Sequence, residues 1–183
     1  MQIQKGYFYF IKDDYYEKVQ DLELMQNKEK GIKRPCFYCL RDISLDYLYW
    51  LIPISSKVTK YKAIYDRKVQ KQIENKKFPK VDTLVLGKVN NENRVFLIQN
   101  MFPVIEEFIS DTYITNNAPV RIGYELQKEI EAKANKVLAL VKRGNRGLVF
   151  PNIMKIKKIM IEEKRKKNER ITAQLIVDIS LND

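Results

Sequence analysis

The stretch Tyr49–Lys60, which reads Tyr-Trp-Leu-Ile-Pro-Ile-Ser-Ser-Lys-Val-Thr-Lys, constrains the fold more than any other part of this chain. It begins as an apolar β-strand and is interrupted by Pro53. Because proline donates no ladder hydrogen bond, we expect Pro53 at a sheet edge, at a bulge or at the end of the strand. The hydroxyls of Ser55 and Ser56 would then lie where the sheet gives way to a loop, a usual position for working side chains. A plain strand that ends in a solvated loop would give the same pattern.

The rest of the chain predicts an α+β fold: a compact, highly twisted antiparallel sheet surrounded by helices, with a C-terminal helical pair. Strands over 36–43 and 47–54 must form an antiparallel hairpin, because three residues are too few for a parallel crossover. The other predicted elements are a strand over 6–12, a helix from 13 to about 26, a loop over 27–33, a helix over about 63–75, strands over 83–89 and 94–101, a short strand over 113–115, and helices over 124–142 and about 152–170, with 171–181 left open. We expect one domain over residues 1–183.

The net charge of +11 is unevenly distributed and points to a polyanionic partner. Residues 61–80 hold seven basic and two acidic side chains, and the C-terminal third is also basic. Clustered positive charge indicates nucleic acid or an acidic membrane surface. No apolar run is long enough for a membrane span, and the N-terminus lacks the apolar region of a signal peptide, so we expect a cytoplasmic protein that does not enter a membrane.

Metal and cofactor chemistry finds little support in the composition. Cys36 and Cys39 have the spacing of half a zinc site or of a redox pair, but the chain has no histidine and no second cysteine pair for a zinc site. We therefore predict two buried or half-buried thiols in a reducing cytoplasm, no metal site and no cofactor.

The absence of histidine also excludes histidine-based nucleophilic triads and proton relays. One reaction fits the side chains that remain. RNA can be cut by its own 2′-hydroxyl, so that the protein needs only to align the phosphate and stabilise its charge. Lysine and arginine can stabilise that charge, serine hydroxyls can position the phosphate, and a lysine crowded by cations has a lowered pKa that suits proton transfer.

The order of elements resembles that of the type III toxin–antitoxin toxins, the ToxN/AbiQ/CptN endoribonucleases. An aromatic first strand is followed by a helix that an aromatic opens, by Arg34-Pro35 at the next strand, and by Pro53-Ile-Ser-Ser-Lys57. The resemblance implies a metal-independent endoribonuclease toxin that cuts single-stranded cellular RNA. It also implies inhibition by a small pseudoknotted RNA antitoxin, which assembles with the toxin into a closed ring of two or three protomers.

The resemblance also implies roles for individual residues. The catalytic set would be Ser56, with Ser55 beside it, Lys57, Arg34 and Tyr15. Shifts of one residue, or of a few, leave Tyr16, Lys33 and Lys60 as alternatives to Tyr15, Arg34 and Lys57. Tyr15 would equally fit the core, and Arg34 an exposed strand end.

Basic residues interleaved with aromatics predict contacts to RNA phosphates and bases, although an ordinary solvated helix face would give the same pattern. The predicted RNA-binding residues are Lys33, Lys60, Tyr61, Lys62, Tyr65, Arg67, Lys68, Arg143 and Arg146. The helix over 155–167 is a further candidate, although Glu162 and Glu163 suggest salt-bridged solvation instead. Two other functions stay open: a non-catalytic RNA- or DNA-binding regulatory module, and a basic structural or phage-defence protein whose partner is another protein.

Overall fold

A seven-stranded, entirely antiparallel sheet organises the computed structural model, which describes residues 2–25, 28–29 and 32–180. The strands are β1 Phe8–Ile11, β2 Lys28–Glu29, β3 Ile32–Lys33, β4 Cys36–Arg41, β5 Leu48–Ser55, β6 Val85–Val89, β7 Glu92–Phe96, β8 Phe102–Ile105, β9 Ile109–Thr112, β10 Ile114–Thr115 and β11 Ala118–Pro119. The helices are α1 Asp13–Val19, α2 Val58–Glu74, α3 Tyr124–Lys142 and α4 Ile153–Ser180, with short 3₁₀ turns at Ile98–Asn100 and Glu106–Phe108. The main sheet has the order β6-β7-β5-β4-β1-β9, and β8 also pairs with β5. The predicted α+β class is confirmed.

Pro53 lies inside β5, so the expectation that it interrupts the strand is wrong. Residues 48–51 of β5 pair with β8, whereas Ile54 and Ser55 pair with β7. Pro53 stands opposite the irregular segment between those two strands, and its carbonyl accepts a hydrogen bond of 3.0 Å from the Leu97 N–H. The missing proline N–H therefore coincides with an interruption in the neighbouring strand, where no ladder bond is needed.

Alternation along the strands divides the core between the two faces of the sheet. On one face Phe8, Phe37 and Trp50 pack against the apolar side of α3. On the other face the side chains of α1 and α4 are buried, including Ile156 and Met160 of α4. The predicted C-terminal pair is thus present, but α3 packs on one face, whereas α4 contributes Ile153 to that face and Ile156 and Met160 to the other. A third, smaller cluster lies beneath α2.

Several element bounds differ from the predicted ones. Helix α1 ends at Val19, because Gln20 takes a left-handed conformation with φ 47°. Helix α2 begins at Val58, directly after the serines, instead of near residue 63. Helix α4 continues to Ser180, through most of the segment left open. Residues 26, 27, 30, 31 and 181–183 of the predictions lie outside the described residues. No described helix is both long and apolar enough to cross a bilayer.

Candidate active-site groove

A groove of about 740 Å³ opens at the end of β5, where Ser55 and Ser56 lie. It is lined by β3, by the residues that precede β4 and α2, by the end of β5, by β7 and by the turns after β6 and β10. The lining residues are Ile32, Lys33, Arg34, Pro35, Ile54, Ser55, Ser56, Lys57, Val89, Asn90, Glu92, Arg94, Tyr113, Thr115 and Asn116. Four of the five predicted catalytic residues, and Lys33, therefore share one concave surface.

The two serines have different environments. Ser55 is buried, and its Oγ accepts a hydrogen bond of 3.2 Å from the Lys57 N–H. That bond closes a tight serine turn of the kind in which the side chain replaces a backbone acceptor. Ser56 is exposed, and its carbonyl accepts a bond of 2.8 Å from the Val58 N–H. Ser55 thus holds the turn, whereas Ser56 is the exposed serine of the groove lining.

The N-terminus of α2 lies next to the two serines, and its charge is unusual for a helix N-terminus. Its first turn holds no acidic residue, although acidic side chains normally favour this end of a helix. Lys57 stands there instead, with exposed Lys60 one turn further on. The backbone N–H groups of a helix N-terminus attract anions. Together with the adjacent ammonium group, they make this part of the groove suited to a phosphate.

Arg34 brings a second cation from the neighbouring strand. Cys36 pairs with Pro53, and extension of this antiparallel register by two residues sets Arg34 across from Ser55. The half-buried guanidinium donates a hydrogen bond of 3.2 Å from Nη1 to the Ile54 carbonyl. Arg34 is therefore held in place by the strand end that carries the serines.

The groove is also lined by residues that sequence reasoning missed. Asn90 belongs to the turn after β6, and its side-chain amide donates a bond of 2.7 Å to the Thr115 hydroxyl. Arg94 on β7 also lines the groove and forms an ion pair with Glu92. Asn90 and Asn116 both have left-handed φ angles, and this conformation explains why asparagine occupies these positions. In the sequence, the two asparagines therefore indicate turns and nothing more. No sequence signal indicated that these two turns meet.

Tyr15 lies elsewhere, in the core. It is fully buried, and its hydroxyl donates a bond of 2.8 Å to the Pro103 carbonyl of β8. Burial raises the pKa of Tyr15 well above its ordinary value. The alternative, Tyr16, is half-buried, and burial raises its pKa too. Neither tyrosine lines the groove.

The predicted RNA-binding residues of α2 are divided between interior and surface. Tyr61 is buried in the cluster beneath the helix, and Tyr65 is partly buried against it. Lys68 also points inward, where its Nζ donates to the Thr83 hydroxyl at 2.8 Å and to the Gln99 side-chain carbonyl at 3.0 Å. Burial lowers the pKa of Lys68.

The other predicted RNA-binding residues are exposed. Lys60, Lys62 and Arg67 lie on the surface of α2, where Lys62 forms an ion pair of 2.9 Å with Asp66. Arg143 and Arg146 are exposed in the connection between α3 and α4, and neither lines the groove.

The two cysteines are buried free thiols, as the sequence predicts. Cys36 packs on the α4 face of the sheet and Cys39 on the α3 face, so the two sulfurs cannot ligate one ion together. Burial raises the pKa of Cys36 to about 12 and also raises that of Cys39. Neither thiol is therefore a thiolate near neutral pH.

Comparison with known proteins gives a match in structure but none in sequence. No family model matches the chain, and no curated protein matches it. The fold is similar to that of AbiQ, a lactococcal anti-phage endoribonuclease of a type III toxin–antitoxin system, with a TM-score of 0.62 and 17% identity over 88% of this chain and 99% of AbiQ.

Two other solved structures extend the match. One comes from a bacterial type III toxin–antitoxin system with selective toxin inhibition by a non-coding RNA pseudoknot; its TM-score is 0.58, with 17% identity over 88% of this chain and 99% of the other. The second belongs to a bacterial antiviral system regulated by a processed non-coding RNA, with a TM-score of 0.54 and 16% identity over 85% and 96% of the two chains. The resemblance seen in the sequence is thus confirmed at the level of the fold, and this protein has the fold of the type III toxin–antitoxin toxins.

Proposed function

We propose that this protein is a metal-independent endoribonuclease toxin that cuts single-stranded RNA at the groove and is inhibited by an RNA antitoxin. The observation that carries the proposal is the convergence of Ser56, Lys57, Arg34 and the N-terminus of α2 on one concave surface. The fold shared with type III toxins, one of which is an endoribonuclease, supports the same activity.

The proposed reaction uses a nucleophile that the RNA itself supplies. The 2′-oxygen attacks the adjacent phosphorus, the bond from phosphorus to the 5′-oxygen breaks, and the products end in a 2′,3′-cyclic phosphate and a 5′-hydroxyl. One proton leaves the 2′-hydroxyl and another reaches the 5′-oxygen, so no redox step or cofactor is required. The transition state adds negative charge to the phosphoryl oxygens, which positioned cations and N–H groups stabilise.

The groove offers a side chain for each part of this task. The guanidinium of Arg34 and the ammonium of Lys57 would stabilise the phosphoryl oxygens, together with the partial positive charge at the N-terminus of α2. Ser56 would hold the phosphate in line and relay a proton, since its hydroxyl is exposed while that of Ser55 closes the turn. We leave Tyr15 out of this set because its hydroxyl is bound to Pro103 in the core.

The inhibitor in this proposal is a small pseudoknotted RNA. One related structure shows toxin inhibition by an RNA pseudoknot, and another belongs to a system regulated by a processed non-coding RNA. The high net positive charge of this chain suits such a partner. A closed ring of two or three protomers joined by RNA completes the proposed inhibited state.

The test of activity is incubation of the purified protein with single-stranded RNA in EDTA, followed by analysis of the RNA ends. We expect cleavage in EDTA, with cyclic phosphate and 5′-hydroxyl ends. RNA that is bound but left intact, with or without divalent metal, would instead identify a non-catalytic binding module.

The test of the site is Ser56→Ala, with Ser44→Ala in the exposed β4–β5 turn as the matched control. Ser56→Ala should abolish RNA cleavage and growth inhibition without a change in melting temperature, because the hydroxyl supports no described contact in the fold. Ser44→Ala should leave all three unchanged. Full cleavage by Ser56→Ala would exclude Ser56 from the reaction.

A further inference from the structure

The exposed surface of α2 carries a stripe of three cations: Lys60, Arg67 and Lys71. Spacings of seven and four residues place all three on the same side of an α-helix. At a rise of about 1.5 Å per residue, the stripe extends roughly 16 Å along the helix. It forms a line of positive charge and not an isolated patch.

No ion pair with another described residue neutralises these cations. Among the described residues, no carboxylate lies within ion-pair distance of any of the three, and the Lys60 ammonium lies 5.7 Å from the centre of the Tyr61 ring. Arg67 and Lys71 are four residues apart, a spacing at which like charges destabilise a helix. An anionic partner that lies along the stripe would remove this repulsion.

The basic residues of α4 contrast with this stripe. The Nζ atoms of Lys164 and Lys167 lie 2.8 and 2.9 Å from Oε1 of Glu107, and Lys157 pairs with Asp42 at 2.7 Å. Arg165 pairs with acidic residues of the same helix. Much of the positive charge of α4 therefore forms ion pairs, either with other parts of the fold or within the helix itself. The acidic residues in the sequence of α4 suggest the same.

The stripe also begins at the groove. Lys57 lines the groove at the residue before α2, and Lys60 follows after less than one turn. Lys68 is turned into the protein, and Lys62 is paired with Asp66. The side of α2 that stays charged is thus continuous with the proposed cleavage site.

We propose that single-stranded RNA held in the groove continues along α2, with successive phosphates against Lys60, Arg67 and Lys71. This path rests on the proposed function and specifies which surface outside the groove the RNA follows. Of the aromatic residues of α2, Tyr61 is buried and Tyr65 partly buried, so the contact is to phosphates and independent of sequence. Lys71, which the sequence pattern did not single out, is the far end of the path.

The test compares two double variants that remove the same charge from different helices. The first is Arg67→Gln/Lys71→Gln in α2, which keeps Lys60 beside the groove. The matched control is Lys155→Gln/Lys158→Gln, whose side chains are exposed on α4. Glutamine is a good helix former, so both proteins should fold, which circular dichroism and melting will verify. The probes are 2′-O-methyl RNAs, which lack the attacking hydroxyl, of about four and about sixteen nucleotides.

We expect the α2 variant to lose about twentyfold in affinity for the longer probe at 0.1 M salt, with a fall of about 1.4 in the slope of log K against log salt. The short probe, which the groove alone accommodates, should bind both variants as it binds the unmodified protein. The α4 control should bind both probes unchanged. Equal losses for the two probes, equal losses in the two variants or an unaltered salt slope would each overturn the path.

Cleavage of a short unmodified RNA by each variant separates this inference from the proposed function. If the α2 variant still cuts the short RNA but binds the long probe weakly, the result supports both the proposed function and the path along α2. If the unmodified protein cuts no RNA, the proposed activity fails, while the binding data on the longer probe still decide whether α2 carries the strand.

Discussion

At the scale of the residue, the two adjacent serines have different roles: Ser55 supports the turn, and Ser56 is the residue that we propose for the reaction. Ser55 accepts the Lys57 N–H and closes the turn that begins α2. We predict that Ser55→Ala lowers the free energy of unfolding by about 1 kcal/mol, the usual contribution of one hydrogen bond. Cleavage should fall in part, because the turn positions Ser56 and Lys57.

Ser55→Thr is the control, since threonine keeps the accepting oxygen. Chemical denaturation and single-turnover cleavage of the three proteins measure the two effects. Complete loss of cleavage in Ser55→Ala at unchanged stability would contradict this division and make Ser55 the reacting hydroxyl.

A structural and a catalytic role can also be distinguished for Tyr15, which lies away from the groove. Its hydroxyl donates to the Pro103 carbonyl on the outer side of β8. Tyr15→Phe should lower the free energy of unfolding by about 1–3 kcal/mol, because the buried carbonyl loses its donor. The folded protein should keep its cleavage rate.

Tyr124→Phe is the matched control, since Tyr124 is exposed at the start of α3. Denaturation curves and cleavage rates at a temperature where every variant is folded check the prediction. A folded Tyr15→Phe protein without cleavage activity would restore Tyr15 to the catalytic set.

At the scale of the element, Glu107 attaches α4 to the connection between β8 and β9. Burial by itself would raise the pKa of Glu107, but hydrogen bonds from Lys164 and Lys167 outweigh it and lower that pKa from 4.5 to about 2. The folded protein therefore holds this carboxylate ionised under conditions in which the unfolded chain takes up a proton. The resulting stabilisation is present above about pH 4.5 and is lost as the pH falls towards 2.

We predict that Glu107→Gln lowers the free energy of unfolding at neutral pH by about 2–3 kcal/mol. Below pH 4.5 the difference from the unmodified protein should shrink. Denaturant titrations at a series of pH values measure both effects, with the exposed Glu17→Gln as the control. A difference that stays constant down to pH 2 would show that the carboxylate charge does not stabilise this contact.

At the scale of the whole molecule, the C-terminal part of α4 extends beyond the core. Ile171, Leu175 and Ile176 are about half exposed or more, and none belongs to the buried clusters. Truncation after Arg170 should change the free energy of unfolding by less than about 0.5 kcal/mol, as exposed positions usually do. Denaturation of the full and shortened proteins measures the difference. A clear loss of stability on truncation would mean that this end of α4 contacts the body of the protein.

Some of the fold could be predicted from residue patterns, and some could not. Helix α3 has its predicted bounds, because a continuous apolar stripe covers the whole helix. The sequence pattern predicts a later start for α2, because the serine turn that initiates the helix depends on a side-chain hydrogen bond. Proline chemistry predicts a break at Pro53 in its own strand, whereas the break lies in the neighbouring strand, a partner that periodicity cannot identify.

The residues of the groove also fall into those that the sequence could group and those that it could not. Ser55, Ser56 and Lys57 are consecutive, and Arg34 follows from the β4–β5 register, so local spacing could gather them. Asn90 and Thr115 are 25 residues apart and meet only because two turns fold onto the same opening.

The sequence by itself determined the α+β class, the serine–lysine stretch and the excess of positive charge, because periodicity, residue type and charge are local properties of a chain. Only the tertiary structure decided which of the two serines is exposed, that Tyr15 and Lys68 point into the interior, and which cations of the basic helices have no ion pair among the described residues. Burial and ion pairing depend on neighbours that are distant along the chain, and the same lysine or tyrosine has a different role when those neighbours change.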